Sequence, residues 1–316
     1  MIQAETVGLQ VAVKQFHRKD DYVKENAILQ QIKDLQDRHI IQHFASIDQG
    51  RKGYIIFPWA DGGNLEDFWE CSEYENSPER VLWSLRQMLG LTEALSKLHR
   101  QFKCRHGDLK PGNILCVTEG NEIVLKIADF GISSIHLAAT ISRKKATKAN
   151  MLTPSYQGPE VEFENLRDEE QIPRSRKYDI WSLGCVFLEF SIWLLHGAQA
   201  IKEFAGARGN GTSSAGHSTP LYEVTDKGAK AASVHRLVSW TIGTLQNGQK
   251  FKGETALADL LSLINDQMLQ PEVDNRPWAH EICNQLEEIV QKAEESNSYL
   301  FPTSYGIPSL NFEDFK

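Results

Sequence analysis

His106-Gly107-Asp108-Leu109-Lys110-Pro111-Gly112-Asn113, with Asp129-Phe130-Gly131 downstream of it, is the stretch whose reading decides the fold. Ile114-Leu115-Cys116-Val117 follows Asn113, and Ile123-Val124-Leu125-Lys126-Ile127-Ala128 leads into Asp129. Two apolar runs around Gly120-Asn121 predict a β-hairpin with polar groups at its open end. A polar turn ahead of a hairpin accounts for either half alone, because Asp, Asn and Gly are ordinary turn residues. Both halves in order, around such strands, ask for a chemical reason.

The two halves resemble the catalytic loop H-R-D-L-x-x-x-N and the metal-binding loop D-F-G of eukaryotic-type protein kinases. Phosphoryl transfer asks a protein for positioning and charge neutralisation, with little covalent work. The resemblance therefore implies that Asp108 accepts or orients a hydroxyl proton and that Lys110 sets a positive charge beside the transferred group. Asn113 and Asp129 are implied to hold Mg²⁺, a hard cation that takes oxygen ligands from few protein groups plus phosphates. Gly107 stands where the family has arginine. In the family that arginine receives a phosphate from the activation segment, so here the receiver is absent while the base Asp108 is untouched.

Upstream, Val11-Ala12-Val13-Lys14 reads as a short strand. Asp20 is placed to cap a helix over about residues 21–37, in which Glu25, Ile28, Leu29 and Ile32 fall at i, i+3, i+4 and i+7. A carboxylate on the stripe that faces the core needs a cation, because an unpaired buried charge is expensive. Lys14 is the natural partner. The resemblance assigns the same pair, with the lysine on the V-A-I-K strand reaching the phosphates. In the family a glycine-rich hairpin precedes that strand. Residues Met1 to Gln10 contain one glycine, Gly8, and cannot build it. The expectation is a fragment of a longer protein or a nucleotide site without a lid.

Tyr54-Ile55-Ile56-Phe57 reads as a strand and Pro58-Trp59-Ala60-Asp61-Gly62-Gly63 as a linker. By resemblance Phe57 guards the back of an adenine pocket, the backbone of Pro58, Trp59 and Ala60 meets the base edge, and Ala12 and Leu115 complete the nucleotide set with Lys14, Glu25 and Asp129. A helix over about residues 78–100 carries a stripe of Leu82, Leu85, Leu89, Thr92, Leu95 and Leu98, which is core. The polar stretch 132–153 corresponds to an activation segment closing with Thr153-Pro154-Ser155-Tyr156-Gln157-Gly158-Pro159-Glu160. Gly158-Pro159-Glu160 stands for the family's A-P-E, and Arg276 is implied to pair with Glu160. Lys110 with Thr153 is the serine/threonine-type combination.

The apolar run from Asp179 to Leu195 approaches the length of a membrane span, yet Asp179 and Glu189 point to a core helix. Gly, Ser and Ala crowd residues 197–220, which predicts a flexible insertion. Two more helices are expected, over about 256–268 and 277–293.

A chain of 316 residues fits two compact units at about 150 residues each. A net charge of −8 argues against nucleic acid or an anionic membrane as partner. Five cysteines without a C-x-x-C pair suit reduced thiols in an intracellular protein, cytoplasmic or nuclear. No N-terminal signal segment is read, and no membrane span is expected. The fold class is α+β: a two-lobed, protein-kinase-like arrangement with a small, incomplete β-rich N-lobe over 1–57, a hinge at 58–63, a helical C-lobe over 64–295 and a tail over 296–316. The implied function is a serine/threonine protein kinase using ATP and Mg²⁺ on a protein hydroxyl. The alternative is a scaffold that keeps the fold and acts by binding, favoured by the missing glycine loop and opposed by the full catalytic set.

Overall fold

Along Lys52–Pro58, Gly53, Ile55 and Phe57 are buried and the residues between them half-buried, the two-residue period of a strand inside a sheet. The structure, a computed structural model, describes residues 2–6, 9–72, 77–131, 133–135, 154–164, 175–209, 219–247, 255–300 and 309–315. The chain divides into two compact units, Met1–Cys71 with Gly90–Lys145, and Ser72–Leu89 with Ala146–Lys316. The catalytic stretch and the N-terminal sheet both fall in the first unit.

In the first unit β1 (Ile2–Thr6), β2 (Leu9–Phe16), β3 (Ala45–Gln49) and β4 (Lys52–Pro58) form an antiparallel sheet in the order β1-β2-β4-β3. Register sets Ala12 opposite Phe57 and Lys14 opposite Ile55. Residues two apart share a strand face, so Ala12 and Lys14 stand on the same side of β2. Helix α1 (Lys19–Ile32) buries Glu25, Ile28, Leu29 and Ile32, the stripe read from the sequence, and Tyr22 one turn before it. Its start differs from expectation. Arg18 holds the N-cap position without a side-chain cap, and Asp20 lies inside the first turn, where its charge meets the positive end of the helix dipole. The helix also ends earlier, passing through a tight turn at Lys33–Leu35 into Gln36, which has φ 41°.

After α2 (Leu65–Cys71) and α3 (Pro78–Gln101), which runs across the division, come β5 (Cys104–Arg105), β6 (Ile114–Glu119), β7 (Glu122–Ile127) and β8 (Ser134–Ile135). The expected hairpin is β6–β7, paired from Ile114↔Ile127 to Glu119↔Glu122, with Gly120 at φ 64° supplying its turn. Two sets of bonds fasten it to the rest of the unit. The Ile127 amide donates to His39 O at 2.8 Å and the Ile41 amide to Ile127 O at 3.0 Å. On the other edge Gly62 donates to Cys116 O at 3.0 Å and Cys116 to Gly63 O at 2.9 Å. A side chain at Gly62 would meet the Cys116 Cβ at 2.8 Å, so the linker needs glycine for this approach. The buried face of α3 is wider than the leucine stripe expected: Val81, Met88 and Leu91 are buried, whereas Leu82 and Leu89 are half-buried.

The second unit is mainly helical: α4 (Glu160–Glu164), α5 (Tyr178–His196), α6 (Ala198–Arg208), α7 (Arg236–Asn247), α8 (Ala256–Leu263), α9 (Ala279–Glu295) and α10 (Asn297–Leu300), with a hairpin of β9 (Tyr222–Asp226) and β10 (Ala231–Val234). Helix α5 is long and apolar enough to cross a membrane, and its apolar window is instead wholly buried in the fold. Gly197 at φ 78° ends it. The first half of the expected insertion is no loop: Ala198–Arg208 is helical, with Ala200, Phe204, Ala205 and Arg208 buried. Residues 210–218 lie outside those described. The helix expected to start at 277 starts at Ala279, and the one expected over 256–268 ends as a wider turn at Ile264–Met268.

Candidate active site

Lys14 on β2 is the hub of the first unit's polar cluster. Its Nζ donates to Glu25 Oε1 and Oε2 and to Asp129 Oδ1, each at 2.8 Å. The Glu25 side chain is 2% exposed and that of Asp129 47%, so the first carboxylate is sealed and the second is the open end of the triad. Burial pushes the Lys14 ammonium down, but Asp129 and Glu25 outweigh it and hold the group above its ordinary range. Burial pushes Glu25 up, with Lys14 opposing. Asp129 is also pushed up by burial, yet Lys14 and the Gly131 amide carry it below the usual carboxylate range, so it stays ionised. Asp129 has φ 61°, left-handed backbone that few residues other than glycine, asparagine and aspartate adopt. Gly131 is required next to it. A Cβ there would lie 3.0 Å from Glu25 Oε2 and 3.1 Å from Asp129 Oδ1.

The catalytic stretch is locked to Asp129 through one peptide. The Ala128 amide donates to Asn113 O and His106 Nε2 donates to Ala128 O, both at 2.9 Å. His106 Nδ1 accepts from the Asp108 amide at 3.3 Å, so the two bonds together assign the Nε2–H tautomer. The His106 ring stands edge-on to the buried Phe130 at 5.2 Å, and Ser133 Oγ donates to His106 O at 3.0 Å. Asn113 Nδ2 donates to Asp108 O at 2.8 Å and to Asp108 Oδ2 at 2.9 Å, and Lys110 Nζ reaches the same Oδ2 at 3.0 Å. Asp108 Oδ1 is left with no bond among the described residues. Because the Asn113 amide nitrogen is committed to Asp108, its Oδ1 is the atom turned away as a possible ligand. Asn113 Oδ1 and the ionised Asp129 are the oxygen donors that could hold Mg²⁺, which takes few protein ligands and completes its shell with phosphate and water.

The structure thus brings Lys14, Glu25 and Asp129 together, and Asp108, Lys110 and Asn113 together, all within the first unit. Ala12 and Phe57 face each other on β2 and β4 and are both buried. Pro58 closes β4 opposite Val11, Trp59 and Ala60 are half-buried in the linker, and Leu115 on β6 bridges to Asn64. Ser133 and the Ala128 peptide were not singled out from the sequence. The serine sits in a polar run whose composition says loop, and no side chain advertises a backbone clamp. Of the expected activation segment only residues 133–135 and those from Pro154 onward are described; Thr153 lies outside them.

The second unit holds the expected frame. Arg276, 0% exposed, donates Nη1 to Glu160 Oε1 at 2.9 Å and Nη2 to Glu160 Oε2 at 2.8 Å. Its other N–H groups go to the carbonyls of Gln270 at 2.7 Å, Pro271 at 3.1 Å and Lys177 at 3.4 Å, so every guanidinium donor is used. Gly158 is explained by the same fork, since a Cβ there would overlap the Glu160 carboxylate. Tyr156 adds an unforeseen contact: its hydroxyl donates to Glu189 Oε2 at 2.7 Å, and Ser182 Oγ donates to Tyr156 O at 2.7 Å.

Comparison with known proteins agrees with this geometry. The family described as protein kinase domain matches residues 2–286. Salt tolerance receptor-like cytoplasmic kinase 1 of Oryza sativa subsp. japonica is 28% identical over 179 residues, 55% of this chain and 46% of that protein. Serine/threonine-protein kinase cst-1 of Caenorhabditis briggsae is 29% identical over 171 residues, 54% and 30%. Myosin light chain kinase 2 of Rattus norvegicus is 28% identical over 184 residues, 57% and 27%. The matched region spans less than half the length of each of these curated relatives.

Proposed function

The chain belongs to the protein kinase domain family, and on that premise we propose that it transfers the γ-phosphoryl group of ATP to serine or threonine hydroxyls of a protein. The observation that carries this reading is the Lys14 ammonium held at 2.8 Å from both Glu25 and Asp129, carboxylates from distant parts of the sequence. A lysine fixed by a sealed carboxylate and facing an open one is a cation presented to a ligand. Lys14 is assigned to the ATP phosphates, with Ala12, Phe57, Leu115 and the backbone of Pro58, Trp59 and Ala60 assigned to the adenine. Asn113 and Asp129 are assigned to Mg²⁺, which when bound neutralises phosphate charge.

Asp108 Oδ1 takes the proton of the attacking hydroxyl, while Oδ2 stays committed to Asn113 and Lys110. The hydroxyl oxygen bonds to the γ-phosphorus as the bond to the ADP oxygen breaks. Lys110 supplies positive charge to the oxygens in transit. The serine/threonine assignment rests on Lys110 with Thr153, and it agrees with the name of the relative cst-1. A scaffold role is disfavoured by the intact set of Lys14, Glu25, Asp108, Asn113 and Asp129.

Calorimetric titration with ATP tests the nucleotide half without requiring turnover. Binding is expected with Mg²⁺ and is expected to be lost in EDTA. Lys14→Met should weaken it by about tenfold or more, the worth of a charge-assisted contact. Affinity indifferent to both changes would refute the site.

A further inference from the structure

The C-terminal segment lies beyond the family match, which ends at residue 286, yet it is anchored by aromatic contacts. Phe312, 6% exposed, meets Phe204 of α6 at 6.0 Å and Trp240 of α7 at 6.1 Å between ring centroids. Phe315 meets Trp240 at 5.8 Å, and the Arg236 guanidinium lies 5.5 Å from its ring. Phe204 is one helical turn before Arg208 and lies beneath that guanidinium at 4.1 Å. Arg208 in turn faces Glu189 in the middle of α5, Nη2 to Oε1 at 3.8 Å, and Glu189 Oε2 accepts the Tyr156 hydroxyl at 2.7 Å. An unbroken series of contacts therefore joins the tail to the segment ending in Glu160, all inside the second unit.

The Arg208–Glu189 pair is a poor stabiliser as built. Both side chains are almost fully buried, the separation is long for an ion pair, and Nε and Nη1 of Arg208 have no hydrogen-bond partner among the described residues. A buried pair of this quality is commonly bettered by apolar side chains of the same volume, so stability does not account for it. What the pair does is set the Arg208 guanidinium against the Glu189 carboxyl group that accepts the Tyr156 hydroxyl, in a helix that is mostly apolar and buried. The ring of Phe204 fixes the guanidinium from the other side, and Phe312 fixes that ring.

We propose that the tail residues Phe312 and Phe315 act as a clamp in cis, holding Arg208 as a positioning residue for Tyr156 and hence for the segment Pro154–Glu160. The effect on substrate rests on the kinase reading, in which this segment docks the protein substrate. The clamp itself does not. Docked, the tail orders the segment; undocked, it lets Phe204 and Arg208 relax and loosens the contact of Arg208 with Glu189.

Hydrogen exchange on the full chain tests the clamp without requiring activity. The Gln157 and Val161 amides, each closing a turn at 3.2 Å, are the reporters. Phe312→Ala with Phe315→Ala should speed their exchange by about tenfold or more, the size expected when a hydrogen bond to a charged group is lost. Amides in α9 should be unchanged. Arg208→Met, which leaves the tail's own residues intact, should give the same local acceleration, and adding the tail changes to Tyr156→Phe should give none beyond that of Tyr156→Phe alone. Unchanged exchange in either variant, equal acceleration throughout the unit, or additive effects would overturn the proposal. If the chain transfers phosphate, the tail variant should raise KM for a protein substrate by about tenfold with kcat and KM for ATP within about twofold. An exchange effect without any phosphotransfer by the parent chain would instead sink the kinase reading and leave the clamp standing.

Discussion

Arg276→Ala is the perturbation whose cost the structure defines best. The guanidinium is fully buried and gives every donor to a protein oxygen, two of them in a bidentate fork to Glu160. It also lies 5.2 Å from the Trp181 ring. Truncation strips the fork from a carboxylate whose side chain is only 18% exposed and leaves three carbonyls without their donor. Removing one partner of a buried pair costs roughly 3–5 kcal/mol, and Glu160's partial access to water favours the lower half of that range. At ~2–4 °C per kcal/mol for a unit of this size, melting should fall by about 6–15 °C. Glu160→Gln should cost at least as much, because it strands a guanidinium with no exposure at all. Arg276→Lys should recover less than half, since a point charge cannot make the planar fork. Differential scanning calorimetry of the three variants and the Arg276→Ala, Glu160→Gln double variant is the assay. Losses under about 1 kcal/mol, the range of exposed pairs, or strict additivity in the double variant would refute the reasoning.

Gly158→Ala restores the family's own residue, yet its Cβ would collide with the pinned Glu160 carboxylate; we expect a loss of about 1–3 kcal/mol, read as a lower melting temperature. Lys14 is held above its ordinary value of 10.5, so its contribution is fully present below that value and is lost as pH rises through the folded one. Melting of the parent chain should therefore drop more than that of Lys14→Met between about pH 9.5 and about pH 11.5, two conditions one unit either side of 10.5; parallel curves would contradict this. Cys71 is the exposed thiol, while burial, with Asp67 and Asp61 nearby, pushes Cys116 up to about 12. Iodoacetamide at neutral pH should label Cys71 and leave Cys116 and the buried Cys185 unmodified by mass spectrometry.

The Lys14–Glu25 pair was legible in the sequence because a carboxylate on an apolar helical stripe demands a cation; the contact of Lys14 with Asp129 was not, because the two lie 115 residues apart and no periodicity joins them. The hairpin was legible because Gly120-Asn121 separates two apolar runs. Helix α6 was not, because Gly, Ser and Ala describe both a loop and a helix packed closely against a neighbour, and the Phe204 and Arg208 anchors are too sparse to show a period. The hairpin β9–β10 and α7 follow that segment and shared its obscurity. The Ala128 clamp on His106 and Asn113 lies in the backbone, where residue type carries no signal. Asp20 was misplaced by two residues because the N-cap carries no side-chain bond here, leaving the helix start without its usual mark.

The central claim is tested most directly by phosphotransfer from ATP to a serine- or threonine-containing protein in the presence of Mg²⁺, comparing the parent chain with Asp108→Asn. The substitution keeps the shape that Asn113 and Lys110 grip and removes the proton acceptor, so the melting temperature should hold while the rate falls by about 10²-fold or more. Equal rates from the two folded proteins, or no transfer by the parent chain with ATP bound, would contradict the account.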